Sequence, residues 1–358
     1  MPIIVVSSLD PLGRGPACEA IAAARPGTAV VVHDLQEHGV VLRRLYRGGE
    51  LYERSETVLQ HDCLSCTVRL DVVPAVAHLL DQGVSEIVVG LPGGVPAAAA
   101  VQGLRQGIGP EVPIASAVLA CDPAAVEDQL WDRHTLFESG FTAHPEDERT
   151  PGEFLIEELA YCDTVLLSGP GLLPAAPGLR RRGTELLQEI APHAAINTLE
   201  GDFRPGRHDF GEAVLRSVPG AVRVPANGLG SHFRTVLHRV GRPLHPGRLQ
   251  EALPRLAAGN CWLRGRLWVA SAPDCRIAVR GVGPRVWLEN TGPWAANYDD
   301  GTRLDGDGFG GLAGTVLAVT GDEVDGEEIA QLLSNCQLTD AEMASDSRAE
   351  DPFDLSTL

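Results

Sequence analysis

The chain has 358 residues, 44% hydrophobic and 22% charged, the proportions of a soluble globular protein long enough for two ordinary domains. Its 48 acidic residues against 29 basic ones leave a formal charge of −19, which repels phosphate backbones and argues against direct binding of bare nucleic acid. All 29 basic residues are arginine, so no mechanism here can use a lysine ammonium. A nucleoprotein would have to be met through its protein components or a local arginine patch.

Residues 2–7 (PIIVVS) form a short β-branched run suited to a buried parallel strand. A turn at 8–15 (SLDPLGRG) and an alanine-rich helix at 16–25 follow. Residues 28–33 (TAVVVH) predict a second strand, and 50–59 a third that ends at a cysteine pair. Residues 70–82 have helical spacing. Further strands are predicted at 86–91 (EIVVGL), 113–120 and 164–168 (TVLLS). Strands alternating with helices imply an α/β domain, a parallel sheet with helices on both faces, over residues 1–200. The segment 136–152 reads as a polar surface loop, and 201–241, rich in Gly, Pro, Arg and His, as a connection between domains. After it the pattern changes to a smaller α+β domain at 242–343. It has a helix at 246–257, strands at 261–270, 276–280, 285–289 and 315–320, and a closing helix at 327–334. Residues 344–358 read as an acidic disordered tail.

Eight cysteines are scattered except for Cys63 and Cys66, which is not a secreted disulfide framework. The start lacks a basic leader, and no apolar run reaches the length of a membrane span. A cytoplasmic protein without membrane contact is the expectation.

The first strand–turn–helix is where a phosphate-binding loop would sit. A working one reads G-x-x-x-x-G-K-[ST], with backbone N–H groups around the phosphates, a lysine on the outer ones and a hydroxyl on magnesium. Here the turn retains Gly13 and Gly15 but has no lysine–hydroxyl ending, and Asp10 sets a negative charge beside any phosphate. Arg14 is the one available stand-in for the lysine, although its planar fork suits bidentate contacts. After the strand at 86–91 an acidic magnesium residue is replaced by Gly90-Leu91-Pro92. After the strand at 164–168 a guanine-reading Asn-Lys-x-Asp is replaced by Ser168-Gly169-Pro170-Gly171. Three parts are missing at three loops, so hydrolysis of GTP is not expected and no catalytic residue is assigned.

Cys63-Leu64-Ser65-Cys66 carries the clearest chemistry. Two thiolates at this spacing can share one zinc ion, with His61, Asp62, His33, Asp34, Glu37 and His38 as further donors. The same spacing also suits two reduced cysteines that merely pack, or a redox pair, though the latter normally opens a helix directly after a strand. The other cysteines read as small buried hydrophobes. The histidines of the connection, His208, His232, His238 and His245, read as solvated or hydrogen-bonded, with His232 and His245 kept as weak candidate ligands.

Together these segments resemble the CobW family of GTP-dependent metal chaperones. Arg242-Pro243-Leu244-His245-Pro246-Gly247-Arg248-Leu249 resembles the family's R-P-F-H-P-x-R-L. The stretch 263–270 (LRGRLWVA) resembles its R-x-K-G-x-x-W-x-A, and 336–343 (CQLTDAEM) its C-L-L-T-D-x-E. Residues 32–37 (VHDLQE) fall on its Asn-Asp-x-x-Glu switch segment, and 63–69 (CLSCTVR) on its C-x-C-C-T-x-R metal motif, with Ser65 in place of the middle cysteine. The resemblance implies zinc at Cys63 and Cys66. A branch of this kind, without the phosphate loop, is similar to mycobacterial factors that recruit a ribosome-hibernation protein in response to zinc. The resemblance therefore implies a zinc-responsive adaptor with the small ribosomal subunit and a hibernation factor as partners, the alternative being a divergent GTPase that delivers zinc or cobalt.

Overall fold

A computed structural model of the chain describes residues 2–59, 64–169, 176–225, 231–294, 313–345 and 350–355. It divides into two compact units, Met1–Ala213 and Val214–Leu358.

The first unit runs β1 (Ile3–Ser7), α1 (Pro11–Ala23), β2 (Thr28–Leu35), β3 (Val40–Arg47), β4 (Glu50–Val58), α2 (Leu64–Thr67), a π-helical turn (Val68–Val72) and α3 (Val73–Asp81). It continues through β5 (Glu86–Gly90), α4 (Ala97–Gly107), β6 (Ile114–Cys121), α5 (Val126–Leu130), α6 (Pro151–Tyr161), β7 (Thr164–Leu167), α7 (Pro177–Ile190) and β8 (Ala195–Thr198). Eight strands form one sheet in the order β4-β3-β2-β5-β1-β6-β7-β8. The six from β2 to β8 are parallel, while β3 and β4 add an antiparallel hairpin at one edge, so the sheet is mixed where a parallel one was expected. The physical reason shows in the burial. Central β1 is enclosed on both faces and reads as a continuous apolar run; β4 is the strand predicted at 50–59, while β3, with Arg43 and Arg44 at its centre, was not predicted and pairs antiparallel between β2 and β4. Ile4 and Val6 face α1 through Ala17, Cys18 and Ile21. On the other face of β1, Ser7 meets α6.

That meeting is made by Glu158, which is 1% exposed. Its carboxyl accepts hydrogen bonds from the Ser7 hydroxyl and from the Ala97 N–H at 3.0 Å, the first donor of α4, which has no side-chain cap of its own. Burial pushes this carboxyl up to about 7. The unfolded chain ionises near 4.5 while the folded one keeps its proton, so stability present below about pH 4.5 is lost as pH rises through about 7. Urea unfolding across that interval should show the native protein losing about 3 kcal/mol more than Glu158→Gln. Parallel pH profiles for the two proteins would disprove this role.

The sequence reading made 201–241 a connection. The structure instead ties residues 204–208 to the first unit. The Arg204 N–H donates to Asn197 Oδ1 at 2.7 Å, Gly206 N–H to Thr164 Oγ1 at 2.9 Å, and His208 Nδ1 lies 3.0 Å from Asp163 Oδ2. Helix α8 (Phe210–Ser217) follows, and residues 234–240 already belong to the second sheet. These anchors join residues distant in sequence, and no local pattern announces them.

The second unit contains β9 (Arg234–Val240), α9 (Pro246–Leu256), β10 (Cys261–Leu267), β11 (Cys275–Val282), β12 (Arg285–Pro293), β13 (Thr315–Gly321), α10 (Gly326–Cys336) and α11 (Asp340–Met343). Five antiparallel strands take the order β12-β11-β10-β13-β9. Leu249 and Leu256 of α9 and Leu332 and Leu333 of α10 share a core with Leu263, Ile277 and Leu317 of the sheet.

Three separate sequence stretches meet here as a latch. Leu244 N–H donates to Trp268 O at 2.8 Å, His245 N–H to Cys336 O at 2.7 Å, and Leu338 N–H to Pro243 O at 2.9 Å. Arg248 grips both oxygens of Glu342, at 3.0 and 2.8 Å, and donates to Gln337 O at 2.9 Å. The His245 ring caps α9 by accepting from Arg248 N–H, which withdraws it from the candidate ligands; its role is to start a helix. His232 is exposed.

The tail also departs from expectation. Leu355 is 5% exposed within the second core, its carbonyl accepts from Asn290 Nδ2 at 2.9 Å, and Asp351 accepts from the N–H groups of Phe353 and Leu355. Two apolar residues suffice to dock an otherwise acidic segment.

Candidate functional site

Two positions of the first unit were singled out by sequence: the turn between β1 and α1, and the segment around the cysteine pair. At the turn, Asp10 caps α1, its Oδ1 accepting from Leu12 N–H at 2.8 Å, while its carbonyl accepts from the N–H groups of Gly13 and Arg14 at 3.1 Å each. Pro11 has no N–H to give. The donors that would surround a phosphate are therefore spent on Asp10, and Gly13, Arg14 and Gly15 lie inside the helix instead of in a loop.

Arg14 is not a phosphate ligand here. It is 1% exposed and donates to the carbonyls of His33 (2.9 Å) and Leu91 and to the Asp34 carboxylate. Asp34 is gripped again by Arg44. Burial works to raise the Asp34 carboxyl, but Arg14 and Arg44 outweigh it and hold the group below the usual carboxylate range. Neighbouring loops crowd the turn: a Cβ on Gly93 would come within 2.6 Å of Phe141 O and 2.9 Å of Leu9 O. What remains between the ends of β1, β6 and β7 is a cavity of about 90 Å³. Pockets for drug-sized ligands run to several hundred.

Around the cysteine pair, His61, Asp62 and Cys63 lie outside the described residues. Cys66 is half-buried in α2. The backbone does bring the switch-like segment to this place. Leu59 N–H donates to Gly39 O at 2.9 Å, and Val58 pairs with Val40, so the turn Glu37–Gly39 sits beside the strand end that leads toward Cys63. Glu37 and His38 are exposed there, and His38 holds φ +61°, a conformation few non-glycine residues adopt.

His33 goes the other way. It is fully enclosed, with Nε2 at 3.3 Å from Asp71 Oδ1, and Asp71 is itself 1% exposed. Burial first, then the Arg43 guanidinium, lower the imidazole to about 3, so the ring is neutral. Burial raises the Asp71 carboxyl, against hydrogen bonds from Thr57 (2.7 Å) and Arg43 (3.3 Å). Asp34, offered as a metal donor, is thus held by two arginines, while His33 lies buried beside Asp71 with neither ring nitrogen hydrogen-bonded among the described residues. Sequence reasoning missed Asp71. Its signal was a lone carboxylate in the apolar stretch 68–79, five residues after Cys66. Among the described residues no three His, Cys, Asp or Glu side chains converge as a metal site. Of the remaining donors named from sequence, Cys66 is half-buried in α2 and Glu37 and His38 are exposed in the turn before β3, and the described residues do not gather them into a metal site. No helix of the described residues is long and apolar enough to cross a membrane.

A large sheet flanked by helices is thus followed in the chain by a five-stranded antiparallel unit on which α9 and α10 pack. Residues 233–337 match the cobalamin synthesis protein CobW C-terminal domain. Among curated relatives it is similar to the zinc chaperone Rv0106 of Mycobacterium tuberculosis H37Rv, 29% identical over 370 residues that cover 92% of this chain and 87% of the relative. It is also similar to the zinc-regulated GTPase metalloprotein activator 1 of Dictyostelium discoideum, 21% identical over 388 residues, 96% of this chain and 81% of the relative. Among solved structures the Zn(II)-bound YjiA GTPase of E. coli aligns over 94% of this chain and 99% of its own, with 13% identity and a TM-score of 0.39.

Proposed function

We propose that the protein is a zinc-responsive CobW-like adaptor that does not hydrolyse nucleotide, has a degenerate phosphate loop, and recruits a hibernation factor to the small ribosomal subunit in the cytoplasm under zinc limitation. The observation that carries the non-hydrolysing part is the β1–α1 turn. Asp10 occupies the helix N-terminus, and the one cation available, Arg14, is buried away from it. Without an ammonium group at the turn, and with the Asp10 carboxylate beside it, the charge of a triphosphate is poorly offset. The zinc part is supported by the printed name of the mycobacterial relative and by Cys66 in its C-x-x-C setting. The ribosome enters only from the resemblance of the sequence.

Co-sedimentation tests this reading. Wild-type protein should travel with ribosomes when zinc is chelated and be released when zinc is restored, while Cys63→Ser/Cys66→Ser should ignore zinc. Equal behaviour of both proteins in both conditions would remove the zinc-sensing role. A second reading, a GTP-dependent metallochaperone, is favoured by the name of the Dictyostelium relative. Calorimetry with GTP and magnesium separates the two, since turnover would reject the adaptor as stated.

A further inference from the structure

The small cavity at the β1–α1 turn has the wrong charge for a phosphate and the right one for a cation. Its lining includes Asp10, Asp122, Ser168, Ser8, Gln129 and Cys121, and no arginine. Asp10 and Asp122 each commit Oδ1 to a backbone N–H, of Leu12 at 2.8 Å and of Ala124 at 2.9 Å. Each keeps a second oxygen without a hydrogen bond among the described residues. Ser168 supplies an independent sign of a ligand. It is 1% exposed, it lines the cavity, and its Oγ has no hydrogen-bond partner. A buried hydroxyl left unpaired is costly, and it costs less if something polar meets it from the cavity. Gly169 leaves room for the Asp122 carboxylate, since a Cβ there would lie 2.6 Å from Asp122 Oδ2.

We propose that this cavity binds an oxygen-liganded divalent cation of the magnesium kind, with carboxylate oxygens of Asp10 and Asp122 and the Ser168 hydroxyl as its protein contacts. At about 90 Å³ the space suits an ion with a few of its waters. Magnesium characteristically takes one or two carboxylates and retains water, so two acids are enough. A soft metal is disfavoured, because the lining offers several oxygen donors and a single sulfur, Cys121. The position that would hold a triphosphate in a phosphate-loop protein has thus had its charge inverted. The site is separate from the cysteine pair and does not depend on the zinc reading.

Mn²⁺ is the probe, followed by electron paramagnetic resonance during titration of the full chain. One ion should bind with a dissociation constant of about 0.1–1 mM, the range of sites with few charged ligands, and Mg²⁺ should displace it. Cys63→Ser/Cys66→Ser should bind Mn²⁺ as the wild type does. Asp122→Asn, which keeps an oxygen for Ala124 N–H, should bind about tenfold or more weakly. Ser168→Ala should be at least as stable as wild type without metal, because it removes the unpaired hydroxyl, yet gain less in melting temperature from Mn²⁺. Wild-type affinity in Asp122→Asn, loss of binding in the cysteine variant, or no saturable binding at all would overturn the proposal.

Discussion

Replacing Arg14 by methionine should cost the first unit about 3–5 kcal/mol, the scale for removing one partner of a buried ion pair. The substitution leaves the Asp34 carboxylate with Arg44 alone and strips a donor from the carbonyls of His33 and Leu91. Methionine keeps the aliphatic stem but ends near the position of Nε, so the loss combines unpaired polar groups with the void left by the guanidinium. Asp34→Asn in the same chain should recover a part of it, and a double-mutant cycle by urea unfolding measures that coupling. Additive losses would show that the pair contributes little. The sign with pH follows from Asp34, whose carboxyl is held below its usual range. The pair's contribution is full above the ordinary carboxylate pKa and is lost as pH falls through the depressed one. A phosphate-binding role for Arg14 predicts the opposite pattern: a change in nucleotide affinity with stability untouched.

Gly265→Ala should destabilise the second unit on a similar scale, about 3–5 kcal/mol, and calorimetric melting of the full chain is the measurement. Gly265 lies mid-strand in β10 with φ +153°, and a Cβ there would run into Val316 O and sit 3.0 Å from Leu317 Cα on the paired strand β13. Backbone and neighbour both demand glycine. A loss below about 1 kcal/mol would mean that the strand shifts to accept the methyl group. This gives a physical reason for the glycine in the 263–270 stretch: it is a close-packing position of the sheet.

The sequence segments that resemble the family divide accordingly by what they do. The residues 242–249, 263–270 and 336–343 build the second unit. Leu244 stands between Trp268 and Gln337, His245 caps α9, and Arg248 clamps Glu342. These positions were legible as a pattern, but not as a mechanism, because Trp268, Gln337 and Glu342 lie tens of residues from the residues they meet. The candidate metal segment is legible in the reverse sense. Its chemistry is plain in Cys63 and Cys66, while the assignment of neighbouring donors depended on which face of β2 each side chain takes. Alternation along that strand sends His33 to Asp71 and Asp34 to Arg14 and Arg44, whereas Glu37 and His38 fall in the turn beyond its end.

The linear chain by itself determined the alternating α/β plan and its central strands, because strands buried on both faces read as apolar runs, as 3–6, 29–32 and 87–89 do. It also determined the absence of any lysine for phosphate chemistry. Only the tertiary structure decided strand β3 and its antiparallel pairing with β2 and β4. The same holds for the burial of Arg14 and for the docking of Leu355 in a tail that composition marked as disordered. Each of these is settled by hydrogen bonds and contacts between residues far apart in the chain, and such pairings leave no local periodicity to read.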